Sequence, residues 1–316
     1  MRNRIAAGCP KFYGRILMPL QRGAGMLWLA AALVLPLFAR ADEASWQGQE
    51  NQAQGWQQEG SPTESAEAGA SHPPLTLLFR GDNPEHAVIM LAGIYNDHEY
   101  FLPWRENLAK DKVLLLGWQR SHHVQRLDDS ARLLARELIA LHEQGILSVT
   151  LLAHSIGGLV AKGAVDRLSK EKLAGRFDSI ELHAFGTPWG GFPGADLAHT
   201  NPLGYVVSYL AGNPAWLDLG THSSYLAGLA QAMPPNGRLF NYIVEQDEVA
   251  TPASEAAMER YDNLLQYASA SLSMSGADHN AYVQHNLGRL MQFAQQRGSA
   301  DKVAGEAMEL SSGASD

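Results

Sequence analysis

The stretch LLAHSIGGLVAKGAV, residues 151–165, decides how this chain is read. An apolar run ends at His154, Ser155 follows, and two glycines open a run with helical character. A serine on a sharp turn between a strand and a helix is held in strained backbone, which costs about 1–3 kcal/mol. Such a turn crowds the residues two before and two after the serine, so both must be small. Ala153 and Gly157 meet that demand. The helix that follows points its free N–H groups at the turn, where they favour negative charge. Gly158 lets the helix lie close to a sheet. Five residues alone would equally describe a buried serine in a strand-to-helix turn. The strand before Ser155 and the helix after it are what single it out as a nucleophile.

The surroundings carry a regular rhythm. Short apolar runs occur at 75–79, 87–91, 113–117, 149–153, 180–185 and 239–244. They are nearly continuously hydrophobic, as strands buried on both faces of a parallel sheet are. Helical patterns alternate with them. Residues 127–145 open with acids in the first turn and stop at Gly145, and residues 280–296 close the domain. The alternation predicts an α/β fold over residues 75–296, with a mostly parallel central sheet and helices on both faces. Residues 187–237 break the rhythm, with no strand-like run and short helices expected near 204–211 and 223–233. So long an insertion reads as a helical cap or lid.

The serine turn resembles the nucleophile elbow of α/β-hydrolase-fold lipases and esterases, in the subset with alanine at its first position. The resemblance extends over most of 75–296, with serine, acid and histidine in the order that fold uses. A serine hydroxyl needs a base, and the base needs an orienting acid. Asp247, in EQDEVATP after the 239–244 run, stands where the family places its acid. Glu245 and Glu248 compete with it, and a solvated acidic loop is the plainer alternative. His279, in DHN after a short run ending at Gly276, matches the family's histidine loop; His285 is read as lying inside the closing helix, ill placed for the role. His154 is expected to line a pocket or fill the core.

An oxyanion needs N–H donors. The resemblance implies the backbone N–H groups of Ile156 and Ile94. The second comes from VIMLAGIYND, where Ala92 stands for the family's histidine and Gly93 is kept. HAFGTPWGGFPGADLA resembles the lipase segment in which Thr-Pro follows the strand after the elbow, and WLDLGTHSSYLAGL resembles a segment of lipases of the phosphatidylinositol-deacylase and lecithin-acyltransferase-like kind, in which this region forms part of the cap over an acyl pocket. Tyr205, Val206, Tyr209, Leu210, Trp216, Leu217, Tyr225, Leu226 and Leu229 suit an acyl chain, and equally suit helix faces packed on a core. The implied activity is hydrolysis of carboxylic esters with apolar acyl chains through an acyl-enzyme. A thioesterase or acyltransferase shares the same triad. A non-catalytic binding protein of this fold is the rival from another class.

Composition narrows the partners. The 316 residues carry a formal net charge of −9, which disfavours nucleic acid and leaves a small-molecule or lipid ester as the expected partner, with transient lipid-surface contact through the cap. No H-E-x-x-H, cysteine cluster or EF-hand loop points to a metal, although Asp97, His98 and Glu99 stand together. No G-x-G-x-x-G follows a strand, so no cofactor is expected. Residues 1–25 are basic and free of acids, and the apolar MLWLAAALVLPLFARA follows. This is the layout of a signal peptide cleaved after Ala41, with an inner-membrane signal anchor as the alternative and Met18 as a possible internal start. Cleavage would remove Arg2, Arg4, Lys11, Arg15, Arg22 and Arg40, taking the net charge from −9 to −15, and with them Cys9, the single cysteine. A periplasmic or secreted protein is expected. Residues 42–74 and 297–316, rich in Gln, Glu, Ser, Ala and Gly, read as a disordered linker and tail.

Overall fold

The computed structural model describes residues 74–296 apart from 95, 111, 120–124, 197–212, 253 and 277. The chain divides into Met1–Ala70 and Ser71–Asp316, and the fold described is that of the second unit. The expected leader, the tail and nearly all of the linker lie outside the described residues.

Every apolar run forms a strand: β1 (Leu75–Arg80), β2 (His86–Leu91), β3 (Val113–Trp118), β4 (Ser148–His154), β5 (Ser179–Phe185) and β6 (Gly237–Val244). The short run before Gly276 forms β7 (Ala270–Met274). They build one sheet in the order β1-β3-β2-β4-β5-β6-β7. β1 pairs antiparallel with β3 and all other pairs are parallel. β1 lies at the edge and is only half buried, whereas β2 and β4 are buried along almost their whole length.

Residues alternate between two cores. Ala87, Ile89 and Leu91 of β2 join one core, and Val88 and Met90 join the other. The first core is covered by α1 (Leu127–Glu143), α2 (Ile156–Lys170) and α3 (Glu255–Leu265). The second is covered by a 3-10 segment (His98–Trp104) and by residues 281–296. Helix α3 was not anticipated. Ser254 caps it by accepting the Ala257 N–H, and Ala257 and Leu264 bury its inner face. The closing segment is not one helix as expected. A 3-10 turn (Ala281–Gln284) ends at His285, and Asn286 caps a fresh helix over 287–296 by accepting the Arg289 N–H. His285 therefore sits in the break and not inside a helix.

The described part of the insertion, 213–236, is fastened to α1 and α2 by polar contacts. The Asp218 carboxylate accepts from Leu127 N at 2.7 Å and from Arg126, so an acid distant in sequence caps α1. Tyr225 donates to the Leu159 carbonyl at 2.8 Å. Lys162, fully buried on α2, pairs with Asp166 one turn later and donates to Ala230 O at 2.7 Å; Asp166 accepts from Ala230 N at 2.8 Å. The helix expected near 223–233 is only Ser224–Gly228, and Asp166 takes up the N–H of Ala230 just beyond it. The helix expected near 204–211 lies outside the described residues.

Removing one member of a buried ion pair leaves the other charge uncompensated and typically costs about 3–5 kcal/mol. Asp166→Ala is expected to lower the unfolding free energy in urea by about that amount. A loss under about 1 kcal/mol, the range of exposed pairs, would show that the pair does not anchor the insertion.

Candidate active site

Ser155 directly follows β4 and immediately precedes the first residue of α2. Its backbone, φ 54° and ψ −128°, is the strained conformation expected of the turn. The Ser155 N–H donates to Phe185 O of β5 at 2.8 Å, so the turn is tied into the sheet. The need for glycine at 157 has a different neighbour from the one expected. A Cβ there would lie 2.6 Å from the Leu91 carbonyl oxygen and 2.7 Å from that of Ala92. The nearest crowding atoms thus belong to the end of β2 and the residue after it. Two residues on, a Cβ on Gly93 would stand 2.9 Å from Ser155 Cβ. The loop that carries Ile94 is therefore pressed against the serine, and Ile156 is the first residue of the helix beside it.

Asp247 follows β6 and is fully buried, while Glu245 and Glu248 are exposed, which separates the three acids. One oxygen of its carboxylate accepts from Val249 N at 3.0 Å and Ala250 N at 2.9 Å. The other accepts from the Tyr282 hydroxyl at 2.5 Å. His279 follows β7, and its Nδ1 lies 2.8 and 2.9 Å from the two carboxylate oxygens. Burial opposes the charge on Asp247. The hydrogen bonds and charge of His279, with those of Tyr282 and Ala250, outweigh burial and hold the carboxyl below its usual range. An ionised carboxylate only accepts, so Nδ1 carries a proton, and in the neutral imidazole that leaves the lone pair on Nε2. Nε2 is buried with no hydrogen-bond partner among the described residues, and no hydrogen bond joins it to Ser155.

Tyr282 was not foreseen. Its hydroxyl accepts from Val244 N at 3.1 Å while donating to Asp247. Burial and then the adjacent carboxylate push its pKa up, so it stays a donor. Its signal in the sequence is faint: an aromatic three residues after His279. His154 is buried. It is 1% exposed, its ring stacks on Tyr100 at 4.3 Å, and its Nε2 lies 2.9 Å from the His279 carbonyl.

Leu217 and Leu226, read as possible acyl contacts, pack into buried core, and Tyr225 packs against it. Tyr205, Val206, Tyr209 and Leu210 lie outside the described residues. A recess between α3 and the insertion, lined by Trp189, Leu226, Leu229, Arg260 and Leu264, includes none of Ser155, Asp247 and His279. No group of three or more metal-ligating side chains occurs among the described residues. Asp97 instead starts the 3-10 segment, accepting Glu99 N at 2.8 Å.

Ser155, Asp247, His279 and the Gly93–Ile94 loop thus all follow the carboxyl ends of parallel strands, the edge where open α/β sheets bind ligands. Solved structures are similar in fold. The type II thioesterase BorB from the borrelidin biosynthetic cluster matches at 15% identity and a TM-score of 0.50, covering 72% of this chain and 97% of its own. The chain has the α/β-hydrolase fold. The mature Bacillus licheniformis lipase BlEst2 also matches, at 18% identity and a TM-score of 0.47, with 71% of this chain and 99% of that one covered. At such identities the likeness concerns the fold alone. No family model and no curated protein matches the sequence.

Because the native pKa of Asp247 is depressed, its contribution to stability is complete above the ordinary carboxylate value near ~4 and fades as pH falls through the native value. The thermal midpoint of Asp247→Asn is expected to lie below that of the wild type at pH 7, with the gap closing as pH falls below the ordinary carboxylate value. A gap unchanged by acid would contradict an ionised Asp247.

Proposed function

We propose that this chain is a serine hydrolase that cleaves carboxylic esters with apolar acyl chains. The observation that carries the reading is the buried Asp247–His279 pair, whose free Nε2 belongs to the same strand-end edge as a strained Ser155. His279 Nε2 takes the hydroxyl proton as Ser155 Oγ attacks the ester carbonyl. Asp247 holds the imidazole through Nδ1 and stabilises its cationic form. The N–H groups of Ile94 and Ile156 receive the oxyanion, an effect worth about 10²–10³ in rate per donor. The imidazolium then protonates the leaving alcohol, and water activated by the same Nε2 releases the acid. Tyr282 and the Val249 and Ala250 N–H groups keep the carboxylate ionised throughout.

Ser155→Ala is expected to cut turnover of p-nitrophenyl butyrate by more than about a thousand-fold, with the thermal midpoint nearly unchanged. Turnover equal to the wild type would reject the assignment. Failure of a fluorophosphonate to label Ser155 in the wild type would favour a binding protein that kept the fold. Comparing an oxygen ester with a thioester of the same acyl chain separates esterase from thioesterase, which share the acyl-enzyme.

The basic and apolar leader supports export as part of the same reading, with the cap meeting a lipid surface. N-terminal sequencing of the protein from the periplasm or medium is expected to start at Asp42. Recovery of the intact leader in a membrane fraction would favour the anchored alternative.

A further inference from the structure

The geometry points to His154, braced by Tyr100, as a positioning residue that sets the depth and tilt of the His279 imidazole relative to Ser155. The inference rests on the hydrolase reading and concerns how the base is held.

His279 needs external support. It lies between the end of β7 at Met274 and the 3-10 turn at Ala281, where the described residues have no regular structure, and Ser275, Asp278 and Asn280 are exposed. Asp247 grips the ring at Nδ1. One anchored point leaves the ring free to pivot about it. The second point is on the backbone: His154 Nε2 lies 2.9 Å from the His279 carbonyl oxygen. A carbonyl oxygen only accepts, so this nitrogen bears the proton and donates. The two rings also touch, with centroids 4.7 Å apart. Carbonyl and ring contacts together fix the residue's main chain and one flank of its ring.

The opposite side of His154 is braced. Tyr100 stacks on it at 4.3 Å with the planes 15° apart, and the Tyr100 hydroxyl reaches the Asn280 carbonyl at 3.4 Å. From the same 3-10 segment, Trp104 Nε1 donates to Val283 O at 3.2 Å. Two consecutive carbonyls of the histidine loop are thus addressed from two other elements. Burial first, and then neighbouring His279, lower the pKa of His154 to about 3, so it remains a neutral donor across the working pH range. It is also the residue before the nucleophile. A single peptide link therefore indexes the base to the serine, and a shift of the elbow carries both together.

The test uses the protein as purified after expression of the full chain, p-nitrophenyl butyrate and diethyl 4-nitrophenyl phosphate. His154→Phe keeps an aromatic ring against Tyr100 and loses the donor. Its kcat and its rate of phosphorylation at Ser155 are expected to fall about 10–100-fold, with KM within about threefold, as misplacement of a reacting group by about 1 Å does. His154→Gln, whose amide nitrogen reaches the place of Nε2, is expected to recover most of the loss. Should His154→Phe fail to fold, Tyr100→Leu removes the brace without touching the donor and is expected to lower kcat in the same sense. A folded Phe variant with wild-type kcat, Phe and Gln variants equally impaired, or a Tyr100→Leu variant with wild-type kcat in place of an unfolded Phe variant, each overturns the inference. If the wild type itself is not phosphorylated at Ser155, the hydrolase reading fails and not merely this extension of it.

Discussion

The site depends on a contact between backbones. The first turn of α2 approaches the end of β2 so closely that the carbonyls of Leu91 and Ala92 occupy the space a side chain at 157 would need. This approach brings the loop after β2 against Ser155 and leaves the serine on a turn with positive φ. The strain is sustained because the turn is bonded to β5 through the Ser155 N–H and continues into a helix buried along most of its length. The loop that carries Ile94 and the Ser155 turn are thereby registered to one another by the packing of main chain, which flexes less than side chains do.

The second organising element is a buried carboxylate. Asp247 would be costly in the interior without partners. It has two backbone N–H groups, a phenol and an imidazole, each drawn from a segment it does not share a helix or strand with. Because Tyr282 also bonds to Val244 N, the acid, the end of β6 and the histidine loop form one connected unit. The His154 and Tyr100 contacts extend that unit to the elbow and to the segment after β2.

The insertion illustrates how polar anchors restrict a region read from its sequence as a lid. Its described part is tied to α1 by Asp218 and to α2 by Tyr225, Lys162 and Asp166. Breaking these together would expose buried charge, which opposes separation of this part from α1 and α2. Among the apolar residues there, Leu217 is buried and Leu226 joins the core on which its short helix is docked.

Local pattern determined a good deal. The continuous apolar runs announced six strands, since buried parallel strands are hydrophobic on both faces, the short run before Gly276 announced the seventh, and small residues around Ser155 announced the elbow. The positions of Ser155, Asp247 and His279 followed from their places after strands, together with the resemblance. Tertiary structure alone decided the rest. Helix α3 escaped notice because its apolar face is narrow, although a crossover between β6 and β7 required an element there. The break at His285 turned on a capping bond from Asn286. Tyr282, His154 and Asp218 act on partners 35, 125 and 91 positions away, across distances at which sequence spacing carries no information. Which acid is buried and which donor faces which carbonyl are properties of the packed chain, because hydrogen bonds are satisfied in space and not along the sequence.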